Sequence, residues 1–227
     1  MTMPNMNDAI TSQGPFRAVH PLILASVSPR RQALLTSLGL HFHVLPSQIP
    51  EPAPDPEESA ADYVLRMACM KAKAVTQKKL SGIILAADTM VVLGRRILGK
   101  PKSEQEALDM LCALNNTTHS VCTGCCFLPT SDGHPICFCV CTQVTFAAHS
   151  EQTLRAYAHS GEPMGKAGAY AIQEAGAFLA SHIHGSYSNV VGLPLAESVD
   201  ALLDLKGIVP AGTSAPDHTS WEASCPS

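Results

Sequence analysis

The sequence lacks any apolar run of membrane-spanning length, and its longest candidates, such as residues 82–87, are only as long as a β-strand. The first twenty residues also lack the basic-then-apolar order of a secretory signal, and they are too poor in arginine for a clear transit peptide. These absences predict a cytoplasmic protein that is neither exported nor anchored in a membrane.

Charge is scarce as well. Lys, Arg, Asp and Glu make up 15% of the 227 residues, with a net charge of −4 and a pI near 6.2. A whole-molecule field of this sign does not favour nucleic acid or an anionic membrane surface as a partner. Apolar residues, at 46%, are typical of a folded globule of this length with a sizeable core. The composition therefore predicts a globular protein without a nucleic-acid or membrane partner, and it leaves a homodimer open.

A second paired metal-binding motif is missing from the cysteine pattern. The nine cysteines are an odd number, which argues against a disulfide framework, and Cys122 and Cys125 form a single C-x-x-C unit. Zinc sites normally combine two such units, whereas Cys137, Cys139 and Cys141 recur with the period of a β-strand. We therefore predict reduced thiols that pack as small hydrophobic side chains. A zinc site in this region is the alternative.

Periodicity predicts one α/β domain between two tails. Residues 1–20 and 210–227 are rich in small polar residues, proline and glycine without periodicity, so we expect flexible tails around a domain of residues 21–209. Apolar runs predict strands at 22–25, 42–45, 83–87, 119–128 and 136–147, the last two joined as a hairpin around 131–133, and a further hairpin across 91–98. Capping signals and apolar stripes predict helices at 29–38, 59–79, 150–159 and 195–205, with another that begins at 103. Since these elements alternate without a strict βαβ rhythm, we expect a mixed, twisted sheet flanked by helices.

The segment Ser26-Val27-Ser28-Pro29-Arg30-Arg31 has the character of an anion site. Arginines in the first turn of a helix oppose the positive end of the helix dipole, so they are unfavourable there unless an anion lies in front of them. Exposed amides, the two serine hydroxyls and the two guanidinium groups together suit a phosphate. An ordinary capped helix with solvated arginines is the alternative.

Two carboxylates are candidates for metal binding or acid–base chemistry. Asp88 follows the apolar residues 84–87 at the predicted carboxyl end of a strand, where α/β proteins place groups that handle ligands. It could bind a divalent cation or accept a proton from water, although taken alone it is better explained as a strand-ending turn residue. Glu51, in the proline-rich loop 46–56, is either a second metal carboxylate or a solvated side chain.

Lysines and glycine-rich loops complete the set of candidates. Lys71, Lys100 and Lys166 lie near the ends of elements, and each taken singly is typical of a solvated surface lysine. The glycines of residues 161–173 allow the backbone to approach a ligand closely, but their spacing is not that of a Walker loop. The polar loop 185–194 is either structural or closes over a substrate.

Taken in order, the chain contains Leu24-Ala25-Ser26-Val27-Ser28-Pro29-Arg30-Arg31, Ala86-Ala87-Asp88-Thr89, Gly99-Lys100-Pro101, Gly165-Lys166-Ala167-Gly168-Ala169-Tyr170 through Gln173, and Val191-Gly192-Leu193-Pro194. These five motifs resemble the successive motifs of the Maf family of nucleotide pyrophosphatases, also named septum formation inhibitors. The resemblance spans residues 21–206, and five motifs in register are far more specific than one. Asp88-Thr89, the run 166–170 and Gln173 resemble the branch that acts on dTTP and UTP, and they differ from the branch that acts on 7-methyl-GTP.

The resemblance implies a mixed α/β fold similar to Maf and ITPase proteins, with two lobes and a nucleotide cleft between them. It implies hydrolysis of dTTP and UTP to the monophosphate and pyrophosphate, with Asp88 activating water and Glu51 as a second acidic residue near Mg²⁺ or Mn²⁺. Relatives often carry an acidic residue where this chain has Pro50, which leaves fewer carboxylates for the metal. The residues implied in contacting the triphosphate are Arg30, Arg31, Lys71, Lys100 and Lys166, and those implied in substrate choice are Arg30, Thr89 and Gln173.

Two other functions compete with this one. A purine-directed pyrophosphatase of the same fold, for instance one acting on 7-methyl-GTP, would share most of these motifs. A non-catalytic nucleotide-binding regulator of cell division is the alternative from another class. The joint presence of Asp88, Lys100 and Gln173 favours an enzyme, because a binding protein has no need of a carboxylate beside phosphate-binding cations.

Overall fold

A mixed β-sheet forms the centre of the computed structural model, which describes residues 14–55, 57–76, 81–131 and 133–212. Its strands are β1 (Phe16–Ala18), β2 (Leu22–Leu24), β3 (His43–Val44), β4 (Ile83–Leu93), β5 (Arg96–Leu98), β6 (Thr118–Pro129), β7 (Ile136–Phe146), β8 (Ala180–His184) and β9 (Ile208–Pro210). Seven of them form one sheet in the order β3-β2-β4-β6-β7-β8, with β5 also paired to β4. β2 is parallel to β3 and β4, whereas β4, β6, β7 and β8 are successively antiparallel. The predicted mixed α/β class is confirmed.

Six α-helices surround the sheet in the described ranges: α1 (Pro29–Ser37), α2 (Ala60–Thr76), α3 (Glu104–Leu114), α4 (Glu151–His159), α5 (Tyr187–Val191) and α6 (Leu195–Asp204). Two predicted caps are present, because Ser59 Oγ accepts from the amide of Asp62 and Ser103 Oγ accepts from the amide of Glu106. Ser28 precedes α1 as predicted, but its side chain makes no capping bond. Residues 77–79, the predicted end of α2, and residue 132, in the predicted β6–β7 turn, lie outside the described residues. None of these helices combines the length and apolar content that crossing a membrane requires.

The alternation of side chains along β4 directs the core to both faces of the sheet. Ile84 packs beneath α2 with Ala68. Leu85 faces the other side, where it belongs to the same cluster as Leu35 of α1 and Leu202 of α6. The sheet therefore has α2 on one face and α1 and α6 on the other.

α2 approaches β6 so closely that the facing strand residue must be glycine. A Cβ on Gly124 would lie 2.4 Å from the backbone of Val64, well inside contact distance. Gly124 is also the residue paired with Asp88 across the β4–β6 ladder. The missing side chain thus lets α2 lie directly over the strand position beside Asp88.

Two predictions about strands are wrong. Residues 16–18, assigned to the flexible tail, form β1, which pairs antiparallel with β9 from the other end of the chain. Asp88 does not end a strand, because β4 continues unbroken from Ile83 to Leu93 and pairs with β6 through this region. In both cases the hydrogen-bonding partner is distant in sequence, so local pattern did not reveal it.

The cysteine prediction is only partly correct. Cys125 and Cys126 are buried free thiols, as expected for packing residues. Cys122 and Cys141, however, form a disulfide, since they lie directly opposite each other in the β6–β7 ladder. The C-x-x-C unit is therefore divided, because Cys122 is bonded across the ladder while Cys125 packs in the cluster around Leu35.

Candidate active site

A single cavity of about 840 Å³ contains all the site residues predicted from the sequence. The eleven residues are Ser26, Ser28, Arg30, Arg31, Glu51, Lys71, Asp88, Thr89, Lys100, Lys166 and Gln173. One edge of β4 pairs with β2 through Leu85 and with β5 from Val91 onward. Between these points, no described strand pairs with that edge, and the cavity opens beside residues 87–91.

Two carboxylates of the cavity meet at Lys71. Its Nζ lies 2.6 Å from Asp88 Oδ1 and 2.6 Å from Glu51 Oε1. The side chains of Lys71 and Asp88 are only 11% and 15% exposed, whereas that of Glu51 is 52% exposed. The hydrogen bond from Lys71 lowers the pKa of Glu51 and outweighs the opposing effect of burial. The ammonium therefore holds two carboxylates at one point, of which Asp88 is the better shielded.

Arg31 joins three separate segments of the cavity wall. Its Nε donates to the carbonyl of Gly192 at 2.8 Å, Nη1 to Ser26 Oγ at 3.1 Å, and Nη2 to Thr89 Oγ1 at 2.9 Å. Burial lowers the pKa of Arg31, and the negative charge of Asp88 opposes that shift. Three of the five N–H donors of the guanidinium are thus committed to protein oxygens. The sequence predicted that Arg31 contacts a phosphate. In the structure, its guanidinium group bonds to three segments of the cavity wall and holds them together.

Arg30 and Lys100 are the cations with unengaged charges. Neither side chain makes a hydrogen bond or ion pair with the residues that the structure describes. Lys166 differs, because its Nζ donates to the carbonyl of Glu162 and lies 3.4 Å from Glu174 Oε2. An anion entering the cavity would therefore meet Arg30 and Lys100 without first breaking a protein contact.

The glycine-rich loop reaches the cavity through a backbone that only glycine accommodates easily. Gly168 has a φ of +69°, and a Cβ on it would lie 2.9 Å from Val91. Beyond it, Gln173 lines the cavity with an exposed amide that has no hydrogen-bond partner within the described chain. The amide is free to pair with a ligand.

Two residues with roles at the cavity were not predicted from the sequence: Tyr63, which lines the cavity, and Glu162, which supports a loop of the cavity. Glu162 accepts hydrogen bonds from the hydroxyl of Tyr157 and from the amides of residues 175 and 176, and so it organises the loop that carries Gln173. Tyr63, which was not among the residues selected from the sequence, lies on α2, lines the cavity and donates to the carbonyl of Pro52. Both contacts join segments that no local motif connects, so no signal in the sequence marked these roles.

Comparison with known proteins gives a consistent result. A family model described as Maf-like protein matches residues 21–205. The chain is 47% identical over 199 residues to a dTTP/UTP pyrophosphatase of Nitratidesulfovibrio vulgaris, a match that covers 88% of this chain and 94% of the relative. It is 47% identical over 187 residues to a protein of the same name from Myxococcus xanthus, covering 82% and 93%. A solved dITP/XTP pyrophosphatase from Mycobacterium abscessus aligns with a TM-score of 0.36 and 15% identity over 57% of this chain and 75% of that one, a likeness too low to carry weight.

Proposed function

The chain belongs to the Maf family, and on that premise we propose that it hydrolyses dTTP and UTP to the nucleoside monophosphate and pyrophosphate. Relatives 42–47% identical over at least four fifths of the chain carry the name dTTP/UTP pyrophosphatase. The observation that carries the proposal is the single cavity in which carboxylates, unengaged cations and a free amide lie together. Carboxylates can activate the attacking water, cations can bind the triphosphate, and an amide can recognise the base.

Asp88 is the proposed general base. It is largely shielded from solvent, on a continuous strand, and its carboxylate is held by the ammonium of Lys71 at 2.6 Å. A base held on a rigid strand can keep the attacking water aligned with the α-phosphorus as the bond to the pyrophosphate leaving group breaks. Lys71 orients this carboxylate, and the water proton passes to Asp88.

The donor set of the cavity fits a divalent cation. Asp88 and Glu51 converge on the same ammonium nitrogen, a point where positive charge is already favoured. Carboxylate oxygens are ligands that Mg²⁺ and Mn²⁺ prefer. We assign the ion to these two carboxylates, where it would neutralise triphosphate charge and favour the ionisation of water.

The remaining side chains divide between phosphates and base. Arg30 and Lys100 are proposed to pair with phosphate oxygens, since both lack protein partners in the described ranges. Lys166 joins them if it leaves Glu174, while Arg31 keeps the wall in place. Gln173 is proposed to read the pyrimidine, because an amide offers one donor and one acceptor to the carbonyl–NH edge of uracil and thymine.

The deciding experiment is a panel of UTP, dTTP, CTP, ATP, GTP and 7-methyl-GTP, each with Mg²⁺ or Mn²⁺ and assayed for pyrophosphate against orthophosphate. We expect pyrophosphate release, fastest with UTP and dTTP. A preference for purines would favour the related purine-directed activity, and tight binding without turnover would favour a regulator. Release of orthophosphate would contradict the proposed bond cleavage. The cytoplasmic location and the homodimer stay predictions.

A further inference from the structure

Three thiols from distant parts of the chain meet between α2 and the strands β6 and β7. Cys69 lies on α2, Cys126 on β6 and Cys137 on β7. The three Sγ atoms all lie within 4.8 Å of one another, with 3.5 Å between Cys69 and Cys137 and 3.2 Å between Cys137 and Cys126. Because Cys69 is 68 residues from Cys137, no sequence motif marks this group, which we call the thiol trio.

The thiol trio is separate from the other features of the fold. None of its members lines the nucleotide cavity. The disulfide between Cys122 and Cys141 lies four residues along the same strand pair and uses neither strand member of the trio. The trio therefore needs an explanation of its own.

Converging sulfur atoms are the donor set that thiophilic metal ions select. Cys126 is buried, while Cys69 and Cys137 are partly exposed, so an ion can reach the group from one side. Zn²⁺ would complete four ligands with a water on that side, and Cu⁺ is suited to sulfur ligands alone. We propose that Cys69, Cys126 and Cys137 form a three-thiolate site for a thiophilic metal ion, Zn²⁺ or Cu⁺.

In the absence of an ion, the surroundings of the trio favour neutral thiols over thiolates. Burial raises the pKa of Cys126, and burial together with the contact to Cys137 raises the pKa of Cys69 more than the charge of Lys73 lowers it. Thiols with a raised pKa form little thiolate near neutral pH and are therefore poor nucleophiles for disulfide exchange. Metal binding releases the three S–H protons to solvent, so apparent affinity should rise with pH. Three thiolates with Zn²⁺ leave a single negative charge near Lys73.

Occupation of the site would link the helix that carries Lys71 to the central sheet. Cys69 lies two positions before Lys71 on α2, and the other two ligands belong to the strand pair that α2 covers. The bound ion would act as a structural cross-link, and it should raise the thermal stability of the chain without contacting the nucleotide.

The test uses the full chain, reduced with a phosphine and freed of metal by a chelator, with excess Mg²⁺ present to occupy carboxylates. Co²⁺ is titrated first without oxygen, followed by Zn²⁺ and by Cu⁺ delivered against a competing chelator. We expect one equivalent of Co²⁺ with thiolate charge-transfer absorption, which is lost when Zn²⁺ or Cu⁺ replaces it. The ion that displaces cobalt at the lower concentration identifies the preferred metal.

Cys126→Ala and Cys137→Ala should each weaken metal binding by roughly a hundredfold or more. Losing only a residue that hydrogen-bonds to a metal ligand already costs about 10- to 100-fold in affinity, and the loss of a ligand itself should cost more. Cys125→Ala is the matched control, because this neighbouring thiol is equally buried but packs on the opposite face of the sheet. Cys137 is only partly buried, so its variant should fold even if Cys126→Ala does not. A cobalt complex without thiolate absorption overturns the proposal, as does equal weakening in Cys125→Ala. Rapid oxidation of the trio to a disulfide that Zn²⁺ fails to slow also overturns it, because the group would then be a redox pair.

Discussion

Replacing Asp88 by asparagine tests the catalytic role with little change to the architecture. The amide keeps an oxygen that can accept from Lys71, which lies 2.6 Å away, but it loses the negative charge and the capacity to take a proton. Lys71 remains paired with Glu51, also at 2.6 Å, so no buried ammonium is left without a counter-charge. We therefore expect the free energy of unfolding to fall by about 1 kcal/mol, well below the roughly 3–5 kcal/mol cost of breaking an isolated buried pair.

Turnover should respond far more strongly than stability. We expect kcat of Asp88→Asn with UTP to fall by about 10²-fold or more, the usual size of a lost general base. Thermal unfolding should shift by only a few degrees, since about 1 kcal/mol corresponds to roughly 2–4 °C in a chain of this length. Glu51→Gln is the matched control, because it makes the same change in the more exposed carboxylate, and its loss should be smaller. A variant Asp88→Asn that turns over UTP near the wild-type rate would refute the assignment.

Four further outcomes test the other parts of the site. Gln173→Leu should erode the preference for UTP over ATP in kcat/KM, because its amide is unengaged in the described chain; an equal loss with every nucleotide would assign it to loop structure. Arg30→Ala should raise KM for UTP by about tenfold, the order of one charge-assisted bond, while Tm stays unchanged. A large fall in Tm would contradict the conclusion that the Arg30 side chain makes no stabilising bond to the described residues. Gly124→Ala should destabilise the fold by about 1–3 kcal/mol or more and lower kcat, because its Cβ would displace α2 and Lys71; an unchanged Tm would contradict this packing. The pKa of Glu51 is lowered by its bond from Lys71, so its stabilising contribution should be present above its unfolded value near 4.5 and lost as pH falls through the folded pKa; thermal unfolding of the wild type and Glu51→Gln should therefore converge in acid.

Local signals predicted the helix starts because the interactions that form a cap are themselves local. Ser59 and Ser103 each bind an amide three residues ahead, as their sequence spacing indicated. Part of the cavity lining was also predictable, since all eleven residues selected from the sequence line it, although Tyr63 lines it too and was not among them. What each residue contacts was less accessible. The three partners of Arg31 lie 5, 58 and 161 residues away, so its role in the wall emerges only from the folded chain.

Pairings between distant strands limited the prediction in the same way. β1 exists because Phe16 meets Pro210, and nothing near Phe16 signals that partner. The thiols of Cys122 and Cys141 face each other only in one register of the β6–β7 hairpin, and a shift of one residue would send them to opposite faces. Periodicity therefore identified the strands, while their register determined the chemistry of the cysteines.

The interrupted edge of β4 explains why the active-site groups collect where they do. β2 leaves the sheet after pairing Leu24 with Leu85, and β5 joins the same edge only at Val91. The other edge of β4 stays paired with β6 throughout, which keeps Asp88 and Thr89 on a rigid strand while one side of them stays open. The chain that leaves β2 becomes the turn with Ser26 and the first turn of α1, so its arginines reach the same opening. The gap in strand pairing thus leaves room for both Asp88 and the turn with Ser26, and Arg31 links that turn to β4 because it donates to both Ser26 and Thr89.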